Sequence, residues 1–141
     1  MKEKEFVKLD IVKFKEVNNI KTKCIADHVL LYLRYAISNI DTYRKNSGYK
    51  YIPIDKEYID LVEQIYKEVR GNIFDIGVST PSIIAGAIMI IASNLYFKNQ
   101  FQSGYISQTD IITSLGMNTE TALRRAKKKI MAFFTQKDIK F

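Results

Sequence analysis

The strongest constraint on the fold is the run VSTPSIIAGAIMIIASNLYF, Val78 to Phe97, in which no residue is charged. A stretch this apolar needs either a bilayer or a protein interior around it. Its strictly apolar centre, Ile83 to Ala92, is only about half of the roughly 20 residues that a membrane span requires, and Pro81 with several Ser, Thr and Asn interrupts the rest. The run is therefore predicted to be a helix buried on all sides within a small domain. Thr80 is placed to cap it, and Pro81 takes the first helical position, where its missing N–H costs nothing. Ile83, Ile84, Ala85, Gly86, Ala87, Ile88 and Ile91 alternate bulk with smallness, which lets neighbouring helices approach closely. The other helices should pack around this one.

A chain of 141 residues, 47% hydrophobic, can bury one ordinary core and not two. In KCIADHVLLYLRYAISNI the residues Ile25, Val29, Tyr32, Leu33, Ala36, Ile37 and Ile40 recur at three and four, as in an amphipathic helix. DTYRKNSGYKYIPID has the content of a loop, and Pro53 turns Ile52 away from helical angles. DKEYIDLVEQIYKEVRG carries a stripe of Tyr58, Leu61, Val62, Ile65, Tyr66 and Val69, with Asp55 to cap its start and Gly71 to stop it. The nine Tyr and eight Phe fall mostly at helical core spacing and are read as packing, not as a base-stacking platform. The first twenty-odd residues are ambiguous: Val7, Leu9 and Ile11 have strand spacing, Phe14 and Val17 helical spacing.

Beyond the loop FKNQFQSGY, Ser107 is placed to cap a short helix, SQTDIITSLG, that buries Ile111, Ile112 and Leu115 and ends at Gly116. Asn118 or Thr119 then caps TETALRRAKKKIMAFF. A short helix, a glycine turn and a longer basic helix form a helix-turn-helix signature. The charge is gathered there: from Thr121 to Phe141 seven basic residues oppose Asp138 alone, so this end holds +6 of the chain's +7. Such concentration is an electrostatic footprint for an anionic partner, nucleic acid first and an acidic protein or membrane surface behind. The bland alternative is that Lys127 to Lys129 are solvated cations favoured by the dipole at a helix C-terminus.

Several functions are disfavoured by what the chain contains. One cysteine, Cys24, and one histidine, His28, make neither an internal disulfide nor a zinc ligand set. Their i, i+4 spacing is read as ordinary packing on a helix, and no metal or cofactor is expected. With no Gly-rich phosphate loop and no carboxylate pair beside a nucleophile, an enzyme is not expected either. The charged segment MKEKEFVKLD lacks the apolar stretch of a secretory signal, so an intracellular protein is expected.

Three motifs in order carry a resemblance. STPSIIAGAIMIIASNLY, SQTDIITSLG and TETALRRAKKKI together resemble the second cyclin-like repeat of the transcription factor IIB family, including archaeal transcription factor B. Pro81, Ile84, Ala85, Ala87, Ile91, Ala92 and Ser93 match that family's Pro-initiated helix, and Gln108 and Ile111 its short helix. Thr119, Glu120, Leu123, Arg124, Lys128 and Ile130 match its recognition helix, and YIPIDKEYIDLVEQIYKEVRG looks like the entry into the repeat. The likeness runs from about Tyr51 to Ile130. Asn118 is an extra residue in the turn, Ser107 stands where the family has Thr, and Thr121 and Ala122 replace the usual Val and Thr. The family's zinc ribbon, the segment that enters the polymerase cleft and its first complete repeat have no counterpart here.

The resemblance implies an all-α, single cyclin-like helical domain of about five helices over residues 24–136, with a helix-turn-helix at 107–134. An N-terminal arm, 1–23, and a basic C-terminal tail, 137–141, flank it. It also implies duplex DNA as partner, with Arg124 and Arg125 at base edges or neighbouring phosphates. Thr119, Thr121, Ser107 and Gln108 are expected to reach phosphate or a base, and Lys127, Lys128 and Lys129 to bind backbone. At about 100° per residue, Arg124, Lys127 and Lys128 share one face, Arg125 and Lys129 an adjacent one, and Leu123, Ala126 and Ile130 the core side. The rival is a cyclin-like interaction module whose basic end meets an acidic partner such as a TATA-binding protein, an RNA polymerase subunit or a kinase. The arm and first helix supply either the packing partner of a second repeat or a homodimer interface.

Overall fold

The computed structural model describes residues 10–117 and 120–141. These form an all-α fold of seven helices with no strand among the described residues. They are α1 (Ile11–Val17), α2 (Ile25–Asn46), α3 (Lys56–Arg70), α4 (Ile73–Ile76), α5 (Pro81–Tyr96), α6 (Gln108–Leu115) and α7 (Glu120–Gln136).

The uncharged run is the hub. α5 packs against α2, α3, α6 and α7, and every residue from Ile84 to Ser93 is buried. Its small residues admit the neighbours closely. A side chain on Gly86 would begin 2.7 Å from Leu123 Cδ2 and 3.2 Å from Leu115 Cδ1, so α6 and α7 both close onto this glycine. Polar groups in the core are partnered: the buried Tyr58 hydroxyl donates to the Met89 carbonyl at 3.0 Å and lies 3.1 Å from Ser93 Oγ. Burial disfavours the phenolate and pushes the Tyr58 hydroxyl well above the usual tyrosine range. Tyr66 similarly donates to the Ala26 carbonyl at 2.9 Å, joining the end of α3 to the start of α2.

The architecture departs from the sequence reading in several places. The 24–136 domain holds six helices where about five were expected, the addition being the one-turn α4, which is too short to show a periodicity, and the arm adds α1. Within the N-terminal arm, Asp10 caps α1 by accepting the Val12 N–H at 2.7 Å. The Phe14 ring of α1 meets Tyr35 edge-on at 5.4 Å, making with Leu31 a second small core on the far side of α2. This is a packing role for part of the arm; residues 1–9 lie outside the described residues. α2 continues to Asn46 through residues read as loop, and its last turn is held by tertiary bonds from Arg44. Asp55 and Thr80 occupy N-cap positions, but neither side chain caps its helix. Asp55 instead accepts the Tyr96 hydroxyl, which raises that phenol to about 12. Cys24 and His28 are exposed, Cys24 at the N-cap of α2, so they are not packed as expected.

The expectation that the aromatics are packing also fails in part. Tyr58, Tyr66, Phe97, Phe133 and Phe134 are core residues. Tyr49, Phe74 and Phe101, at 85%, 95% and 88% exposure, are not.

Candidate nucleic-acid interface

The short helix that supports the basic one is fixed at both ends. Ser107 Oγ accepts the Asp110 N–H at 3.0 Å while an Asp110 carboxylate oxygen accepts the Ser107 N–H at 3.0 Å, a reciprocal capping box. At the other end Gly116 adopts φ 68°, the left-handed conformation that costs glycine least. The Met117 N–H then reaches the Ile112 carbonyl at 3.1 Å and the Gly116 N–H the Thr113 carbonyl at 3.2 Å, closing a Schellman motif. A third restraint comes from α2, where the buried Asn39 donates through Nδ2 to the Ser114 carbonyl at 2.9 Å. The C-terminal end of α6 is thus bonded to the body of the fold.

α7 buries Leu123, Ala126, Ile130, Phe133 and Phe134 against this scaffold. At about 100° per residue, the direction opposite that face is held by Thr121, Arg124, Arg125 and Lys128, all exposed. Arg124 makes one ion pair, 3.4 Å from Glu120 one turn earlier, with both side chains mostly in water. Such exposed pairs contribute roughly 0–1 kcal/mol and yield easily to a phosphate.

The two remaining lysines flank the stripe. Lys127 is half-buried, and Lys129 donates through Nζ to the Gly77 carbonyl at 3.0 Å, which fastens the α4–α5 turn to α7. Furthest from the core are Thr121, Arg124, Arg125 and Lys128, while Lys129, also exposed, is bonded to the Gly77 carbonyl. The 137–141 tail does not extend the basic helix. Asp138, at φ 54°, ends α7 and Ile139 returns its N–H to Phe134 at 2.9 Å, so Phe141 lies 5.1 Å from the Phe134 ring. Lys140 stands 3.7 Å from the Asp138 carboxylate.

Of the other expected contacts, Ser107 and Gln108 sit half-buried at the start of α6, with the Ser107 oxygen committed to the cap. Thr119, and with it the expected Asn118 or Thr119 cap, lies outside the described residues. Two positioning residues had escaped the sequence reading. Asn39 carried a signal, being a polar residue between Ala36 and Ile40 on the buried stripe; Arg44 carried none, because its partners are backbone carbonyls in two loops, one eight residues on and the other about 60.

Among the described residues no cluster of three or more His, Cys, Asp or Glu is placed to hold a metal ion. No helix among them is long and apolar enough to cross a membrane. Comparison with family models, curated proteins and solved structures finds no match to this chain.

Proposed function

We propose that this chain is a duplex-DNA-binding module of the helix-turn-helix kind, built on a single cyclin-like repeat similar to that of transcription factor IIB and acting in transcription. One observation carries the reading: Thr121, Arg124, Arg125 and Lys128 form a continuous exposed stripe on a helix whose opposite face is locked into the core behind a glycine turn. A helix of about 10–12 Å diameter enters a major groove about 12 Å wide. The guanidinium groups of Arg124 and Arg125 can each offer two hydrogen bonds to guanine O6 and N7 or to phosphate, while Lys128 supplies a point charge to the backbone. Thr121 stands near the start of α7, where a hydroxyl suits a phosphate or base edge. The packing of α7 on the core matters because a stripe that swings freely cannot hold a register on DNA.

The rival reading, an interaction module for an acidic partner such as a TATA-binding protein, an RNA polymerase subunit or a kinase, has its own support. Phe74 is almost wholly exposed on α4, the short helix that ends at Gly77, where Lys129 of α7 bonds. Exposed aromatic anchors next to cations are common in protein interfaces.

Fluorescence anisotropy on a labelled random duplex separates the two. Arg124→Ala/Arg125→Ala should weaken binding at least tenfold, since a bidentate arginine contact is worth about 1–3 kcal/mol, while Phe74→Ala should leave it unchanged. Absence of duplex binding even at low salt would favour the protein partner.

A further inference from the structure

We infer that the cleft between the 47–54 and 98–107 segments is a second nucleic-acid site, one that takes an unpaired strand with its bases stacked on Tyr49 and Phe101. The cleft measures about 490 Å³ and is lined by Arg44, Ser47, Tyr49, Lys50, Gln100 and Gln102 among others. That lies within the range of pockets that hold small organic ligands.

Its walls are built, not incidental. Arg44, at the end of α2, donates to the Ile52 carbonyl at 3.3 Å on one side and to the Gly104 and Tyr105 carbonyls at 3.0 and 3.2 Å on the other. One guanidinium thus clasps both segments together. A side chain on Gly104 would come within 3.6 Å of Ile52 Cγ2, so the segments touch at that point. Tyr49 lines the cleft, and Phe101 lies in the opposite wall's segment between the lining residues Gln100 and Gln102; both rings have most of their surface in water. Each lip is ordered by local bonds: Ser47 Oγ donates to the Arg44 carbonyl at 3.0 Å, and Gln102 Oε1 and Asn99 Oδ1 accept the Lys98 and Phe101 N–H groups at 2.9 Å. The backbone that carries the two rings is thus ordered before a ligand binds.

The chemistry favours a nucleic-acid strand over a peptide. Aromatic faces beside cations suit bases joined by phosphates, and Lys50 lines the cleft. One carboxylate, Asp110, lines the cleft but is turned to the α6 cap, and the nearby Asp41 is engaged with Lys45 at 3.1 Å and the Tyr51 hydroxyl. Amide side chains at Gln100 and Gln102 match the mixed donors and acceptors of base edges. A smaller cleft of about 360 Å³ shares Arg44, Tyr105 and Asp110 and continues along α6. A strand in the larger cleft would therefore lie beside the helix that supports α7.

The ligand class rests on the proposed function, but the site does not, and the test keeps the two apart. A labelled mixed-sequence single-stranded DNA and a duplex are each titrated with the wild-type protein, Tyr49→Ala/Phe101→Ala and Arg124→Ala/Arg125→Ala. The cleft variant should bind the single strand at least tenfold more weakly and the duplex within twofold of wild type, with unchanged thermal melting because both rings are exposed. The α7 variant should do the opposite. Single-strand binding that depends on Tyr49 and Phe101 would uphold the cleft even if duplex binding failed. No single-strand binding at low salt, or binding indifferent to those two residues, would overturn the inference, and capture of an acidic peptide in its place would do so as well.

Discussion

Gly86 shows how a single atom sets the geometry of the interface. Its hydrogen leaves the space that Leu123 and Leu115 fill, so α7 approaches α5 where a methyl group would push it away. Gly86→Ala gains up to about 1 kcal/mol of helix propensity but overpacks the contact at a cost of about 1–3 kcal/mol. Net destabilisation of about 1 kcal/mol is expected in urea melts, together with weaker duplex binding as the stripe is displaced. Asn39 acts in the opposite sense, by adding a bond. Asn39→Leu strands the Ser114 carbonyl in the core, and leaving a buried acceptor unmet costs about 1–3 kcal/mol. Asn39→Asp should be worse still, because a carboxylate cannot donate to that carbonyl. Both residues were legible as types, a small residue and a polar one in buried stripes, but not their partners, which depend on how helices distant in sequence come together.

Helices long enough to show a period were legible, and short ones were not. α5 was marked by Pro81 and its uncharged run, α3 by its stripe, and α6 by Ser107 at its start and Gly116 at its end. α4 has only four residues, and the last turn of α2 is polar; Arg44 holds it from outside. The basic helix was found from its charge, yet charge could not say which cations point outward. Lys129 reads like Lys128 in the sequence, but its ammonium meets the Gly77 carbonyl while Lys128 faces solvent. Single substitutions should separate them: Lys128→Ala should lower the salt slope of duplex binding by about one counterion. Lys129→Ala should leave the slope nearly unchanged and lower the melting temperature slightly. Equal slopes for the two variants would contradict the assignment of the stripe.

At the scale of the whole molecule, one apolar helix collects four neighbours and leaves their outer faces to different tasks. α7 carries the basic stripe, α2 and its loops the cleft, and α1 covers the far side of α2. Nothing in a linear pattern announces that division, because it depends on which faces remain uncovered once α5 is enclosed. The core also sets a pH limit. Tyr58 holds its proton more tightly when folded than an unfolded tyrosine does near pH 10. Its contribution is thus complete below about pH 10 and lost as pH rises above it. Tyr58→Phe should flatten the fall in melting temperature above that pH while costing about 0.5–1.5 kcal/mol at neutrality.

The central claim, that the Arg124, Arg125 and Lys128 stripe meets duplex DNA, is tested most directly by anisotropy on a random duplex across a range of salt. The account predicts a log-log slope of several counterions, at about 0.9 per phosphate contacted, reduced in Arg124→Ala/Arg125→Ala. Absence of binding at low salt, or a slope unaltered by the double substitution, would contradict it.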